Sequence, residues 1–271
     1  MNNAPIGLFD SGMGGLSVWQ EVRAGLPSES LIFFGDGVRC PYGSRSREQI
    51  LSFTIEAVER LIAEGCKLIV IACNTATAVA IETLRERYPQ IPFVGLEPAV
   101  KPAALTTQTG VVAVLATQRS LEGRLFMQTS AKYADNVQIL KRVGEGFVEI
   151  VEQGAEETAQ AEMAVRAVVE PIIEAGADKI VLGCTHYPFL RKIMERVIGD
   201  RAVEIIDSGS AVSRRVAQLL DENDIRAERG AAADCRFITL GDEIDLLEYA
   251  FGLNTVTICR DDDENLKHLE K

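Results

Sequence analysis

The stretch KIVLGCTHYPF, residues Lys179–Phe189, decides how this chain of 271 residues folds. Ile180, Val181 and Leu182 form a short apolar run of the kind buried on both faces of a parallel sheet. Gly183 ends the run, and Cys184, Thr185 and His186 follow in one row at the expected C-terminal end of the strand. Open α/β sheets bind their ligands at that edge. A thiol, a hydroxyl and an imidazole there are either a reactive site or a buried structural cysteine beside a hydrogen-bonded histidine.

Outward from this stretch the same rhythm repeats. Short apolar runs at Ile6–Phe9, Leu31–Phe34, Leu68–Ala72, Phe93–Leu96, Val111–Leu115, Val137–Leu140 and Glu204–Ile206 predict strands. Helical patterns separate them, over Leu16–Ala24, Arg47–Ala63, Ala76–Arg87, Ser120–Ala131, an acidic region Gly146–Glu174, Leu190–Ile198 and Ala211–Leu220. Lys101–Thr109 reads as a link, residues 235–259 as a strand and a helix completing a sheet, and the charged tail Arg260–Lys271 as frayed. Alternating strands and helices mean an α/β protein with parallel sheets.

The pattern restarts near residue 110, which implies two similar half-chains. IVIACNT, ending at Thr75, echoes KIVLGCTH, ending at His186, and the DSG at 10–12 recurs at 207–209. Two related sheets facing each other would bring both strand-end thiols, Cys73 and Cys184, to one cleft between two open parallel-sheet domains. The alternative is two unrelated buried cysteines.

Composition narrows the function. The net charge is −12 and the basic residues are scattered, apart from groupings at Arg45–Arg47 and Arg85–Arg87, so a nucleic-acid partner is disfavoured. No apolar run approaches the roughly 18 residues a membrane span needs. The start MNNAPIGLFDSG has no basic segment followed by an apolar one, so the expected setting is the cytoplasm, with its six cysteines as thiols. None of these forms a CxxC pair and the chain has two histidines, so a zinc site is disfavoured.

Two thiols on opposite sides of a bound carbon can act as general base and general acid. One thiolate removes a proton from one face, the other thiol returns a proton to the opposite face, and a stereocentre inverts without a cofactor. The turn Asp10-Ser11-Gly12-Met13-Gly14-Gly15 fits neither GxGxxG nor GxxxxGK[ST]. It either brings Asp10, Ser11 and backbone N–H groups to a carboxylate or is only a tight strand-to-helix turn. Tyr42-Gly43 could offer donors to an anion or lie in a surface loop. Asn74-Thr75 and Thr185-His186 directly follow the thiols, and helix N-terminal amides would let an acidic protein hold an anionic substrate.

These residues in this order resemble the glutamate racemase family, within the wider aspartate/glutamate racemase superfamily. The resemblance lies in FDSGMGGLSV (9–18), FGDGVRCPYGSRS (34–46), IACNTATA (71–78) and VLGCTHYPFL (181–190), and spans roughly residues 6–220. It implies cofactor-independent interconversion of L- and D-glutamate, supplying D-glutamate for peptidoglycan, by a cytoplasmic homodimer with no metal. It further implies two catalytic bases, with Cys184 deprotonating L-glutamate and Cys73 D-glutamate. Asp10, His186, Asp36 and Glu152 would tune the thiols, and Asp10, Ser11, Tyr42, Gly43, Asn74, Thr75, Thr185 and His186 would contact substrate. The family arrangement returns the C-terminal segment to the first domain, giving 1–97 with 208–271 and 98–207.

The chain departs from the family pattern in three places. Val143-Gly144-Glu145-Gly146 stands where a Cys-Pro is usual, which leaves the auxiliary role between Glu149 and Glu152. The GDxAR pattern appears as Gly35-Asp36-Gly37-Val38-Arg39. After LAT (115–117) the usual hydroxyl positions are Ser120 and Gly123, so one hydroxyl is expected to be missing. Three rivals stand beside the racemase: a racemase of aspartate or another amino acid, a thiol hydrolase using Cys184 and His186, and a binding module with no activity.

Overall fold

The computed structural model describes residues 1–230 and 232–240, together with the backbone of a strand at 257–260. Ten strands are β1 (Ile6–Asp10), β2 (Leu31–Gly35), β3 (Leu68–Ile71), β4 (Phe93–Gly95), β5 (Val111–Ala116), β6 (Gln138–Val143), β7 (Lys179–Gly183), β8 (Glu204–Ile206), β9 (Cys235–Thr239) and β10 (Thr257–Arg260). They make two sheets, ordered β10-β9-β2-β1-β3-β4 and β6-β5-β7-β8, and every pairing is parallel. The expected two-sheet α/β architecture is the one observed.

Both sheets are covered on both faces. In the first, Ile6, Leu8, Leu31, Phe33, Leu68 and Val70 point into one core, while Phe9, Ile32, Phe34, Ile69 and Ile71 point into another. In the second, Leu115, Ile180 and Leu182 face one core, and Val112, Val114 and Val181 the other. Period-two alternation in strands that are apolar at every position is what a doubly covered parallel sheet requires. The helix Arg47–Ala63 covers one face with Ile50, Thr54, Ala57, Val58 and Leu61, and its start is fixed by a capping box between Ser46 and Gln49.

The two sheets share a topology. In the first, the chain runs from β1 outward to β2, then returns to place β3 on the other side of β1; in the second, β5, β6 and β7 do the same. Each sheet therefore has a switch point, between β1 and β3 and between β5 and β7, where diverging loops leave a crevice at the C-terminal strand ends. Cys73 follows β3 and Cys184 follows β7. The weak sequence echo between the halves corresponds to this shared order.

Several elements differ from the sequence reading. Ser120–Ala131 is two helices, Gln118–Leu121 and Arg124–Tyr133, divided at Gly123, whose backbone is extended. The acidic region is also two, Phe147–Glu152 and Ala159–Glu174, separated by a turn through Gly154 (φ +61°) and capped afresh by Thr158. The second ends at Glu174, as the sequence predicts, with Pro171 inside its last turn. The link 101–109 holds a helix, Val100–Thr106; Pro102 is tolerated there because the first turn of a helix has no N–H partner to lose. The predicted helix between β9 and β10 and the fraying of 261–271 fall outside the described residues. Five cysteines, Cys40, Cys66, Cys73, Cys184 and Cys235, are free thiols. Among the described residues no helix is long and apolar enough to cross a membrane.

One ion pair is fully enclosed. Lys67 Nζ and Glu29 Oε2 meet at 2.6 Å, with their side chains only 2% and 4% exposed. Glu29 also accepts from the Ala227 N–H, and Lys67 donates to the Asn2 carbonyl, so the pair ties the N-terminal segment and the segment after residue 222 to the first sheet. Removing one partner of such a pair strands a buried charge. Lys67→Met is expected to lower unfolding free energy by about 3–5 kcal/mol in urea titrations, and adding Glu29→Leu to recover much of it. A single-variant loss below about 1 kcal/mol would show that the pair is not effectively desolvated.

Candidate active site

The C-terminal ends of β1, β2, β3, β5 and β7 converge on one small cavity lined largely by buried side chains. Ser11, Tyr42, Gly43, Cys73, Asn74 and Thr75 line it from the first sheet, and Thr117, Cys184, Thr185 and His186 from the second. Of the predicted site residues, nine reach the cavity. The other three, Asp10, Asp36 and Glu152, stand behind its wall, hydrogen-bonded to groups that form it.

The two thiols sit in different surroundings. Cys73 caps the helix Asn74–Arg87, accepting from the Ala76 N–H at 3.4 Å and donating to Ser11 Oγ at 3.5 Å. Burial pushes its thiol up to about 12, the Asp10 charge adds to the rise, and the Ala76 and Ser11 contacts oppose it. Cys184 instead has an imidazole partner, His186 Nδ1, at 3.8 Å. The strand end that carries Cys73 runs straight into a helix, whereas Cys184 is followed by a 3₁₀ turn over Tyr187–Leu190 that turns His186 back towards it.

Behind Cys184 runs a polar row. His186 Nε2 hydrogen-bonds Glu152 Oε1, and the same oxygen accepts from the Met13 N–H at 2.8 Å. Burial alone would lower the His186 basicity, but the hydrogen bonds with Cys184, Cys40 and Glu152 outweigh it and raise it well above the ordinary value. For Glu152 burial opposes ionisation, and the His186 contact overcomes it, so its carboxyl falls below the usual range. The resulting pair is an imidazolium and a carboxylate. Glu149 is exposed, so Glu152 occupies the position next to His186.

Asp10 is completely buried. It accepts from Thr185 Oγ1 at 3.2 Å and from the Gly12 N–H at 3.2 Å. Burial pushes its carboxyl up to about 6, against the pull of His186. Asp36, also buried, accepts from the Tyr42 hydroxyl at 2.5 Å and pairs with Arg39 at 2.6 Å, which fixes the Tyr42 ring against the cavity. Burial raises the Asp36 carboxyl, with the Arg39 and Tyr42 contacts opposing.

The glycines of the first turn are required by close approach. A Cβ on Gly14 would lie 2.3 Å from His186 Nδ1, and one on Gly12 2.3 Å from Glu152 Oε1. From sequence this turn is a carrier of Asp10 and Ser11. Its other task, leaving room for His186 and Glu152 from the opposite half, has no signal in the sequence.

Among the described residues no lysine or arginine lines the cavity. Positive potential comes from the N-terminus of the 14-residue helix Asn74–Arg87. The buried Asn74 Nδ2 has no hydrogen-bond partner among the described residues, which leaves a donor for an anionic ligand. Thr117 was not singled out from sequence. Its hydroxyl lies 2.9 Å from both Thr75 Oγ1 and Ser120 Oγ, and it is the member of this cluster that joins Thr75 at the cavity. Gly123 lies away from the cavity, where a Cβ would meet Ala78 at 2.9 Å, so the absent hydroxyl there takes nothing from the lining.

A family profile described as Asp/Glu/Hydantoin racemase matches residues 15–216, and the chain belongs to this family. Within it, the chain is 44% identical to a glutamate racemase of Ectopseudomonas mendocina, over 89% of its length and 91% of that protein's. It also resembles the crystal structure of Escherichia coli glutamate racemase in complex with L-glutamate and the activator UDP-MurNAc-ala, with a TM-score of 0.82 and 31% identity over 95% of this chain and 98% of that one. Glutamate racemase from Francisella tularensis in complex with D-glutamate is similar at a TM-score of 0.82 and 27% identity, covering 96% and 98%.

The buried Asp10 gives a pH-dependent stability. An acid whose folded value rises from about 3.8 to about 6 favours the fold fully below about pH 4, and that contribution is lost as pH rises through about 6. Asp10→Asn is therefore expected to be more stable than the parent at about pH 7.5, by roughly 1–3 kcal/mol in urea unfolding, with the gain vanishing near pH 4. A variant less stable by the same amount at both pH values would contradict this.

Proposed function

We propose that this protein is a glutamate racemase that inverts Cα with two thiols and no cofactor. The observation that carries the reading is one cavity between two parallel sheets, lined by Cys73 from one half and Cys184 from the other. Relatives of similar length are glutamate racemases, and related structures hold L-glutamate in one case and D-glutamate in another. The same reading includes a cytoplasmic homodimer supplying D-glutamate for peptidoglycan. It divides the chain into 1–97 with 208–271 and 98–207, a division supported by the membership of the two sheets.

In the L-to-D direction Cys184 acts as thiolate and takes the Cα proton. Cys73, which burial keeps protonated, gives its S–H proton to the opposite face. The product leaves Cys184 as thiol and Cys73 as thiolate, ready for the reverse reaction. The His186–Glu152 pair places a cation beside Cys184, which stabilises its thiolate during the transfer. Asp10, Asp36 and Glu152 are positioning residues, acting through Thr185, Tyr42 and His186 respectively.

A Cα–H next to a carboxylate is a weak acid, so the cavity must offset carbanion formation. The Asn74–Arg87 helix N-terminus, the Asn74 amide and the hydroxyls of Ser11, Thr75 and Thr185 supply donors from buried side chains, where they act more strongly than in water. Thr75 and Thr117 together mark the place for one carboxylate, because their hydroxyls can rotate to donate to the same anion.

Cys73→Ala and Cys184→Ala are each expected to lower racemisation by at least about 10²-fold, followed by circular dichroism of either enantiomer. In D₂O, early product is expected to carry deuterium at Cα while recovered substrate carries little. Near-normal turnover by either variant, or equal labelling of substrate and product, would overturn the two-thiol scheme. An acyl-enzyme burst without Cys73 dependence would favour the hydrolase.

A further inference from the structure

We propose that Cys40, Glu152 and His186 form a binding site for a thiophilic divalent cation of the zinc class, and that a cation held there switches the enzyme off. The inhibitory half of this rests on the racemase reading above; the site itself does not.

Among the described residues, this is the one group of three potential metal ligands whose donor atoms all lie within 4.8 Å of one another. A thiol, an imidazole and a carboxylate are the donor types zinc takes, and three protein ligands leave a fourth position for water. Tetrahedral zinc with bonds of about 2.0–2.3 Å places neighbouring donor atoms roughly 3.3–3.8 Å apart. The trio therefore needs an inward movement on the order of 1 Å, within the reach of side-chain adjustment.

Three separate elements deliver the donors. Cys40 ends the 3₁₀ turn after β2, Glu152 ends the helix Phe147–Glu152, and His186 follows β7. They converge over Gly12: a Cβ there would lie 2.3 Å from Glu152 Oε1 and 2.9 Å from Cys40 Sγ. Cys40 is half-buried and does not line the substrate cavity, so the racemase scheme leaves its thiol unused. Chain spacing disfavours zinc because the donors are far apart in sequence. Folding assembles them.

The inhibitory consequence follows from the shared groups. His186 Nε2 faces Glu152, while its Nδ1 faces Cys184. A cation bonded to Nε2 and to the Glu152 carboxylate takes the place of the proton between them. With its charge balanced by the Cys40 thiolate and the Glu152 carboxylate, the cation leaves a neutral N–H at Nδ1, and drawing His186 onto the cation moves that N–H from the place where it meets Cys184.

The active-site thiols could also trap metal, so the experiment must separate the two. Cobalt(II) is titrated into the full chain and into Cys40→Ser, Cys40→Ala and Cys184→Ser variants, reading thiolate-to-cobalt charge-transfer absorption. Zinc inhibition is measured on the active proteins, each against its own uninhibited rate, with reversal by chelator. The parent is expected to bind one cobalt with a thiolate band, and Cys184→Ser to keep that band. Both Cys40 variants should lose it and need at least about 10-fold more zinc for half-inhibition. A band that survives in the Cys40 variants, a band lost in Cys184→Ser, or no cobalt binding by the parent would overturn the site. If the parent binds cobalt through Cys40 but racemises nothing, the functional reading fails and the metal site stands.

Discussion

Buried polar groups have to be paired, and at this site several of the hydrogen bonds that pair them run across the gap between the two sheets. Glu152, from the second half, accepts the Met13 N–H of the first; Thr185 donates to Asp10; Ser17 donates to the Thr185 carbonyl. Each bond satisfies a group that would otherwise be desolvated at a cost of order 1–3 kcal/mol. Bringing the halves together and setting the ionisation of the site are consequently one event. A separation of the sheets that exposed the cavity would also unpair Glu152 and Asp10, so the chemistry and the closed arrangement are coupled by the same hydrogen bonds.

The halves match in topology but not in environment. Cys73 and Cys184 occupy equivalent strand ends past equivalent switch points. Yet Cys73 has a hydroxyl and a helix amide beside it, and Cys184 an imidazole backed by a carboxylate. The difference arises in the residues after each thiol: Asn74 and Thr75 begin a long helix at once, while Thr185 and His186 precede a 3₁₀ turn. A racemase that meets mirror-image substrates with L-residues has no means of making its two bases identical. The two thiols are tuned by different partners, and burial of Cys73 is balanced by a charged neighbour on the other side.

The strands are legible because both faces of each sheet are covered, so the runs at 68–71 and 180–182 are apolar at every position. Sheet membership of the later strands was less so, since β8 and β9 are close in sequence yet join different sheets. Helix interruptions were missed where one glycine decided them. Gly123 packs against Ala78, and Gly154 takes a left-handed turn, while the flanking periodicity reads through both. In Val100–Thr106 the opposite holds: the segment reads as a link, yet Pro102 sits in the first helical turn, which tolerates it.

Taken alone, the sequence determined the fold class, the number of sheets and the residue types at each strand end, because these follow from local periodicity and from glycine and proline placement. It also marked Cys73, Cys184 and the polar residues next to them. Only the tertiary structure decided which carboxylate meets His186, that Asp10, Asp36 and Glu152 stand behind the cavity rather than in it, and that Thr117 and Cys40 belong to the surroundings. Those are distances between residues far apart in the chain. They are set by how two cores pack and how closely the Gly12–Gly14 backbone lets the opposite half approach. Periodicity along one segment carries no information about that approach.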